Sequence, residues 1–182
     1  MILGITGTIG AGKGTVVDYL KQKGFAHYSV RDFLIEEIQK HNMPVDRDSM
    51  RTIANDIRAM HQPSYIIEML YARAEAARKD GLIESVRAIG EAEFLKAHGV
   101  KLIAVDADQK LRYERVVARG SVTDSIDFDT FVEQEDKEMA STDPSGQNLV
   151  AVMQMADYRI ENNGSMDELH ERIDETLRAL GN

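Results

Sequence analysis

The segment Gly7-Thr8-Ile9-Gly10-Ala11-Gly12-Lys13-Gly14-Thr15 constrains this chain more than any other stretch. It follows an apolar run, Ile2 to Thr6, that reads as a buried strand. It leads into Thr15 to Lys23, which reads as a helix with Val16, Val17 and Leu20 on one face and Gly24 as its stop. Strand, glycine-rich turn and helix in that order form a backbone cradle. Glycines let successive N–H groups converge on one point, and the helix N-terminus adds partial positive charge. Such a cradle suits a phosphate group. Four glycines and a lysine at these positions serve no packing purpose visible in the sequence, which sets them apart from an ordinary glycine-rich turn.

The Gly-x4-Gly-Lys-Ser/Thr pattern of phosphate loops is met at Gly7, Gly12 and Lys13. It departs at Gly14, and the hydroxyl comes one residue later, at Thr15. The expected phosphate contacts are Gly7, Gly10, Ala11, Gly12, Lys13, Gly14 and Thr15, with the Lys13 ammonium on the β- and γ-phosphates.

Short apolar runs alternate with amphipathic ones along the rest of the chain. Strands are expected at Phe25 to Tyr28, Leu82 to Ser85, Lys101 to Asp106 and Tyr158 to Glu161. Helices are expected at Arg31 to Lys40 and in two pieces from Asp46 to Lys79, with Pro63 in the first turn of the second piece. Further helices are expected at Glu91 to His98, Gln109 to Arg119, Asp127 to Met139 and Leu149 to Ala156. Ser165, with Glu168 three residues on, makes a capping box for a last helix. This alternation predicts an α/β fold with a parallel sheet covered on both faces. Two segments read as excursions from the sheet: a helical one from about 31 to 80, and a polar one from about 120 to 148.

A chain of 182 residues makes one ordinary domain, here 1–182, with a core of its own. Its net charge of -9 argues against bulk binding to nucleic acid or an anionic membrane. The absence of cysteine excludes disulfides, thiolate catalysis and Cys-ligated metal sites, and fits a cytoplasmic setting. No targeting signal or membrane-length apolar run is visible. The five histidines are scattered, with no pair at helical metal-ligand spacing, and solvated surface positions are expected for most.

Lys13-Gly14-Thr15, in place of Lys-Ser or Lys-Thr, resembles the phosphate loop of adenylate kinases. Ser29-Val30-Arg31-Asp32-Phe33-Leu34 resembles the segment that opens their acceptor-binding region, with Arg31 where the family has glycine and Ile35 where it has arginine. Glu84-Ser85-Val86-Arg87 resembles their acidic-to-arginine segment, with Glu for Asp and Ser85 for glycine. The ending, Ala156 to Leu169, is more similar to dephospho-CoA kinase and to a related group of archaeal kinase-like proteins, which also share the stretch from Arg87 to Leu95. The resemblance spans the whole chain. It implies a P-loop three-layer sandwich, a five-stranded parallel sheet of order 2-3-1-4-5, with an acceptor-binding insertion at 31–80 and a lid at 120–148.

It also implies an ATP- and Mg2+-dependent kinase acting on a small acceptor of unknown identity, a nucleoside monophosphate or a hydroxyl of the dephospho-CoA type. A nucleotide-dependent switch without a small acceptor is the reading from another class. On the acceptor side the candidates are Ser29, Arg31, Asp32, Arg58 and Arg87. Arg87 follows a strand's C-terminal end, where open α/β sheets bind ligands. Arg115 and Arg119 lie four apart on one helix, directly before the polar excursion, and resemble lid arginines; Arg112 roughly continues their spacing. Transfer needs in-line positioning and charge neutralisation, which gives Lys13, Arg87, Arg119 and Asp32 catalytic roles. Thr15 and Glu84 are the candidate magnesium partners, and Asp106, which also ends a strand, is the rival acid. Asp32 either orients the acceptor or caps the helix that starts beside it. The apolar stretch from Ile66 to Tyr71 reads as core.

Overall fold

Five short strands lie side by side, all parallel, in the order β2-β3-β1-β4-β5. The structure, a computed structural model, describes residues 1–120, 127–139 and 147–181. The strands are β1 Ile2–Gly7, β2 Ala26–Ser29, β3 Gly81–Glu84, β4 Lys101–Asp106 and β5 Tyr158–Glu161. The helices described are α1 Lys13–Gln22, α2 Val30–Lys40, α3 Arg47–Met60, α4 Tyr65–Ala77, α5 Ile89–Ala97, α6 Gln109–Arg119, α7 Phe128–Met139, α8 Leu149–Gln154 and α9 Met166–Ala179.

Parallel strands need crossovers, and helices supply them here, so both faces of the sheet are covered. On one face Leu3, Ile5, Leu82, Ile103 and Val105 pack against Val16, Val17 and Leu20 of α1 and Leu169, Ile173 and Leu177 of α9. On the other, Ile83 and Leu102 join Phe33, Leu34, Ile38, Ile66, Ile67, Leu70 and Leu95. Leu3 and Ile5 are wholly buried. Each such side chain contributes about 1.5–3 kcal/mol by leaving water. Glycine at position 4 lets Leu95 and Leu102 close over β1, their methyl carbons lying 3.1 and 3.0 Å from where a Cβ would stand.

The expected capping box at the last helix is present: Ser165 Oγ accepts the Glu168 N–H at 3.3 Å, and Glu168 Oε2 accepts the Ser165 N–H at 2.7 Å. Several local boundaries shift by one or two residues. Pro63 precedes α4 rather than entering its first turn, because Ser64 is the N-cap. β3 begins at Gly81 and stops at Glu84, since Ser85 takes a φ of 73° that no strand continues. β2 starts at Ala26, one residue late, with Phe25 buried ahead of it.

β1 is central. The chain leaves it toward β3 and β2 on one side and reaches β4 and β5 on the other. Strand order therefore reverses at β1, and the crevice beyond its C-terminal end is where ligands of open α/β sheets bind. The glycine-rich segment sits there, between β1 and α1. Among the described residues no helix is long and apolar enough to cross a membrane.

Candidate active site

The loop from Gly7 to Gly12 is shaped by what surrounds it. Gly12, the N-cap of α1, has φ 94° and ψ 21°, a left-handed conformation that side chains disfavour. A Cβ there would stand 2.3 Å from Asn162 Nδ2. Gly10 has φ 77°, and a Cβ there would stand 2.4 Å from the Arg112 carbonyl oxygen. These glycines are required by close neighbours as well as by the turn, a packing purpose the sequence did not disclose. Gly14 differs: a Cβ there meets open space.

The carbonyls of the loop are held from outside. Asn162 Nδ2 donates to the Ala11 oxygen at 2.8 Å, and Arg112 Nη1 donates to the Ile9 oxygen at 3.3 Å. Thr8 Oγ1 donates to Asp106 Oδ1 at 2.7 Å. Lys13 Nζ reaches back across the loop to the Gly7 and Thr8 oxygens, both at 2.8 Å. Thr15, in the first turn of α1, is half-buried.

Glu84 ends β3 beside the loop. His27 Nε2 lies 2.9 Å from Glu84 Oε2, so this histidine is half-buried and engaged rather than solvated. The hydrogen bond to His27, with the positive charges of Lys13 and Arg87, holds the Glu84 carboxyl below its ordinary range despite burial. Glu84, Lys13 and Arg87 thus form one electrostatic neighbourhood. Asp106, the rival acid, is tied up by Thr8, by the Ala107 N–H at 2.9 Å and by Arg159 Nη2 at 2.8 Å. Among the described residues no three His, Asp or Glu side chains converge on a metal-sized point.

The turn after β3 holds Arg87. Its N–H donates to Glu91 Oε2 at 2.8 Å, and its Nη1 donates to Gln147 Oε1 at 3.2 Å. Its carbonyl accepts the Asn148 N–H at 3.0 Å, which fastens this turn to the far end of the polar excursion. Glu91 is 2% exposed and also accepts the Ala88 N–H at 3.1 Å. Burial pushes its carboxyl up, opposed by the N–H of Arg87 and the charge of Arg58. Arg58 of α3 approaches Glu91 Oε1 to 3.7 Å, and its Nε is buried without a hydrogen-bond partner among the described residues.

The other sequence candidates fall as follows. Ser29 is buried and caps α2, its Oγ accepting the Asp32 N–H at 3.3 Å. The helix-capping role considered for Asp32 therefore belongs to Ser29. Asp32 and Arg31 lie exposed on the first turn of α2. Arg115 is half-buried, and its Nη1 has no hydrogen-bond partner among the described residues. Arg119 is exposed in the last turn of α6. Arg112 leaves the expected series, because it points inward and is 5% exposed. Of the 120–148 stretch, 121–126 and 140–146 lie outside the described residues. The helix between them, α7, is anchored by Phe131, 1% exposed, and by Glu135, which pairs with Arg112.

Sequence reasoning missed Asn162, Glu91 and His27 as residues of the site, and it placed Arg112 with the lid arginines rather than behind the loop. Glu91 had a signal, an acid three residues after a helix start. Asn162 had only its place in the ending from Ala156 to Leu169. His27 had none, and neither did the inward turn of Arg112, since each acts on a partner distant in the chain.

A family profile described as an AAA domain matches residues 3–141. The UPF0200 protein of Methanococcus vannielii is 26% identical over 183 residues, which cover 98% of this chain and 96% of that one. Among solved structures, TT1252 from Thermus thermophilus superposes with a TM-score of 0.67 at 18% identity, covering 98% of this chain and 96% of its own. Shikimate kinase from Bacteroides thetaiotaomicron superposes with a TM-score of 0.63 at 11% identity, covering 98% of each chain. At such identities the likeness speaks for the fold, which is that of P-loop kinases.

Proposed function

The chain belongs to this AAA-domain family, and from that footing we propose that it is a kinase carrying the γ-phosphoryl group of ATP to a small acceptor, a nucleoside monophosphate in the favoured case. The observation that carries the reading is the placing of two cations at the C-terminal ends of neighbouring strands: Lys13 from the loop after β1, its Nζ lying across that loop, and Arg87 from the turn after β3. Two phosphates must approach each other during such a transfer, and fixed positive charge on both sides offsets their repulsion.

In this reading the N–H groups from Gly10 to Thr15 and the N-terminus of α1 hold the nucleotide's phosphates, and Lys13 draws charge from the transferring group. Arg115 and Arg119 close on it from α6. Arg58 and Arg87 grip the acceptor, with Ser29, Arg31 and Asp32 along its side. The unmet donors of Arg58 and Arg115 are capacity that an anion can use. One acid and one hydroxyl fit magnesium, which keeps waters and takes phosphate oxygens instead of an all-protein cage. Thr15 and Glu84 would hold it, and bound there it neutralises charge developing on the phosphates. Residues 31–80 would cover the acceptor, and residues 120–148 would act as a lid excluding water. A cytoplasmic setting fits an ATP-dependent enzyme.

A second reading rests on Glu91. Its carboxyl stands 3.7 Å from Arg58 and so occupies a cation that an acceptor phosphate would otherwise use, which favours a hydroxyl acceptor with Asp32 orienting it.

A panel of acceptors, followed by ADP production, tests both. Under the monophosphate reading Arg87→Ala weakens monophosphate use roughly ten- to a hundredfold, through KM and kcat together, with ATP binding little changed. If it leaves monophosphate use untouched, the hydroxyl reading takes its place, and Asp32→Asn is then the more damaging change. ATP turnover indifferent to every acceptor would point instead to a nucleotide-dependent switch.

A further inference from the structure

Arg112 and Glu135 form a buried ion pair, 5% exposed on each side. Both guanidinium nitrogens of the fork meet the carboxylate, Nη2 at 3.1 Å. Gln109 Nε2 donates to the same carboxylate at 2.7 Å, and the guanidinium lies over the Phe131 ring at 6.0 Å. Arg112 Nε donates to the Ala107 oxygen at 2.8 Å and stands 3.6 Å from Asp106 Oδ1. Such a pair is a poor way to dock α7, because well-packed apolar side chains hold buried helices at least as firmly. Two contacts are beyond any apolar side chain, the donation from Nε to the Ala107 carbonyl and the donation from Nη1 to Ile9, and only the second reaches the phosphate loop.

That contact has a geometric consequence. A trans peptide is planar, so its C=O and the next residue's N–H point in opposite directions. A carbonyl of Ile9 pinned outward on Arg112 turns the Gly10 N–H inward. Asn162 does the same for the next pair but one, pinning the Ala11 carbonyl and turning the Gly12 N–H. Gly10 is also seated closely on the Arg112 backbone, so α6 sets the Ile9–Gly10 peptide twice, while Asn162, after β5, sets the Ala11–Gly12 peptide.

We propose that Arg112 is a positioning residue that fixes the Ile9–Gly10 peptide for phosphate binding, and that Glu135 on α7 holds its guanidinium in place. Nucleotide affinity then depends on α7 being docked, which links the 120–148 stretch to the loop through two side chains. This rests on the loop binding a nucleotide, as under the kinase reading, but not on any acceptor.

ADP is the probe, with its Kd measured by titration calorimetry and the ligand-free Tm measured alongside. The double variant Arg112→Met with Glu135→Leu replaces the pair by apolar side chains and should still fold cooperatively, with a Tm lowered because the Ala107 and Ile9 oxygens lose their donor. Its Kd for ADP should rise about tenfold, the effect of one lost hydrogen bond to a charged group. Arg112→Lys keeps the charge but lacks the fork to serve Ile9 and Glu135 at once. It should also weaken ADP about tenfold, and it carries the test if the double variant does not fold. An unchanged Kd in either folded variant overturns the assignment while leaving the kinase reading standing. Absence of ADP binding by the wild-type protein overturns both.

Discussion

Gly12 and Asn162 make a pair whose energetics can be worked from the geometry. Gly12→Ala brings a Cβ to 2.3 Å from Asn162 Nδ2, so the amide must leave. Its bond to the buried Ala11 oxygen, 2.8 Å long, is then lost. A buried acceptor without a partner costs about 1–3 kcal/mol, and an alanine held at φ 94° costs about 1–2 kcal/mol more. Gly12→Ala should therefore destabilise by about 2–5 kcal/mol, less about 0.4–1 kcal/mol from the stiffer unfolded chain. Asn162→Ala loses the same hydrogen bond and should cost about 1–3 kcal/mol. In the double variant that bond is lost once, not twice, while the backbone strain and the unfolded-chain effect persist unchanged. The double variant should then be more stable than the singles' sum by about 1–3 kcal/mol. Urea unfolding of the four proteins measures this. Additivity within about 0.5 kcal/mol would refute the contact between the loop and Asn162.

Lys13→Ala should leave Tm close to the wild-type value and lower phosphoryl transfer roughly a hundred- to a thousandfold; near-normal turnover by the folded variant would refute the role of its charge. Glu91 supplies a pH test. Burial raises its carboxyl above the ordinary value of 4.5, so the folded protein binds this proton more tightly than the unfolded chain. Stability from this group is then greatest below pH 4.5 and falls as pH rises through the raised value. Glu91→Gln keeps an acceptor oxygen for the N–H groups of Arg87 and Ala88 and removes the titration. Its stability relative to wild type should climb as pH rises above 4.5, and parallel curves in urea unfolding would refute the raised carboxyl.

The sequence by itself determined whatever repeats locally. Apolar spacing marked each strand within a residue or two, and Ser165 with Glu168 announced the last helix, because caps and periodicity act over four residues. The glycine-lysine segment between a strand and a helix located the phosphate loop, because its function lies in its own backbone. The resemblance to P-loop kinases added the strand order.

What only the tertiary structure decided is which side chains serve that loop. Arg112, Arg115 and Arg119 look alike on one helix, yet Arg112 turns inward against α7 while Arg119 is exposed. Asn162 reaches Ala11 across 151 residues, and Glu91 meets Arg58 from another helix. The physical reason is range. A turn or a cap is settled by neighbours in the chain, whereas the partner of a buried charge is settled by how whole layers stack on the sheet. A charged side chain takes the nearest group able to satisfy it in low dielectric, and that group's place in the sequence is immaterial.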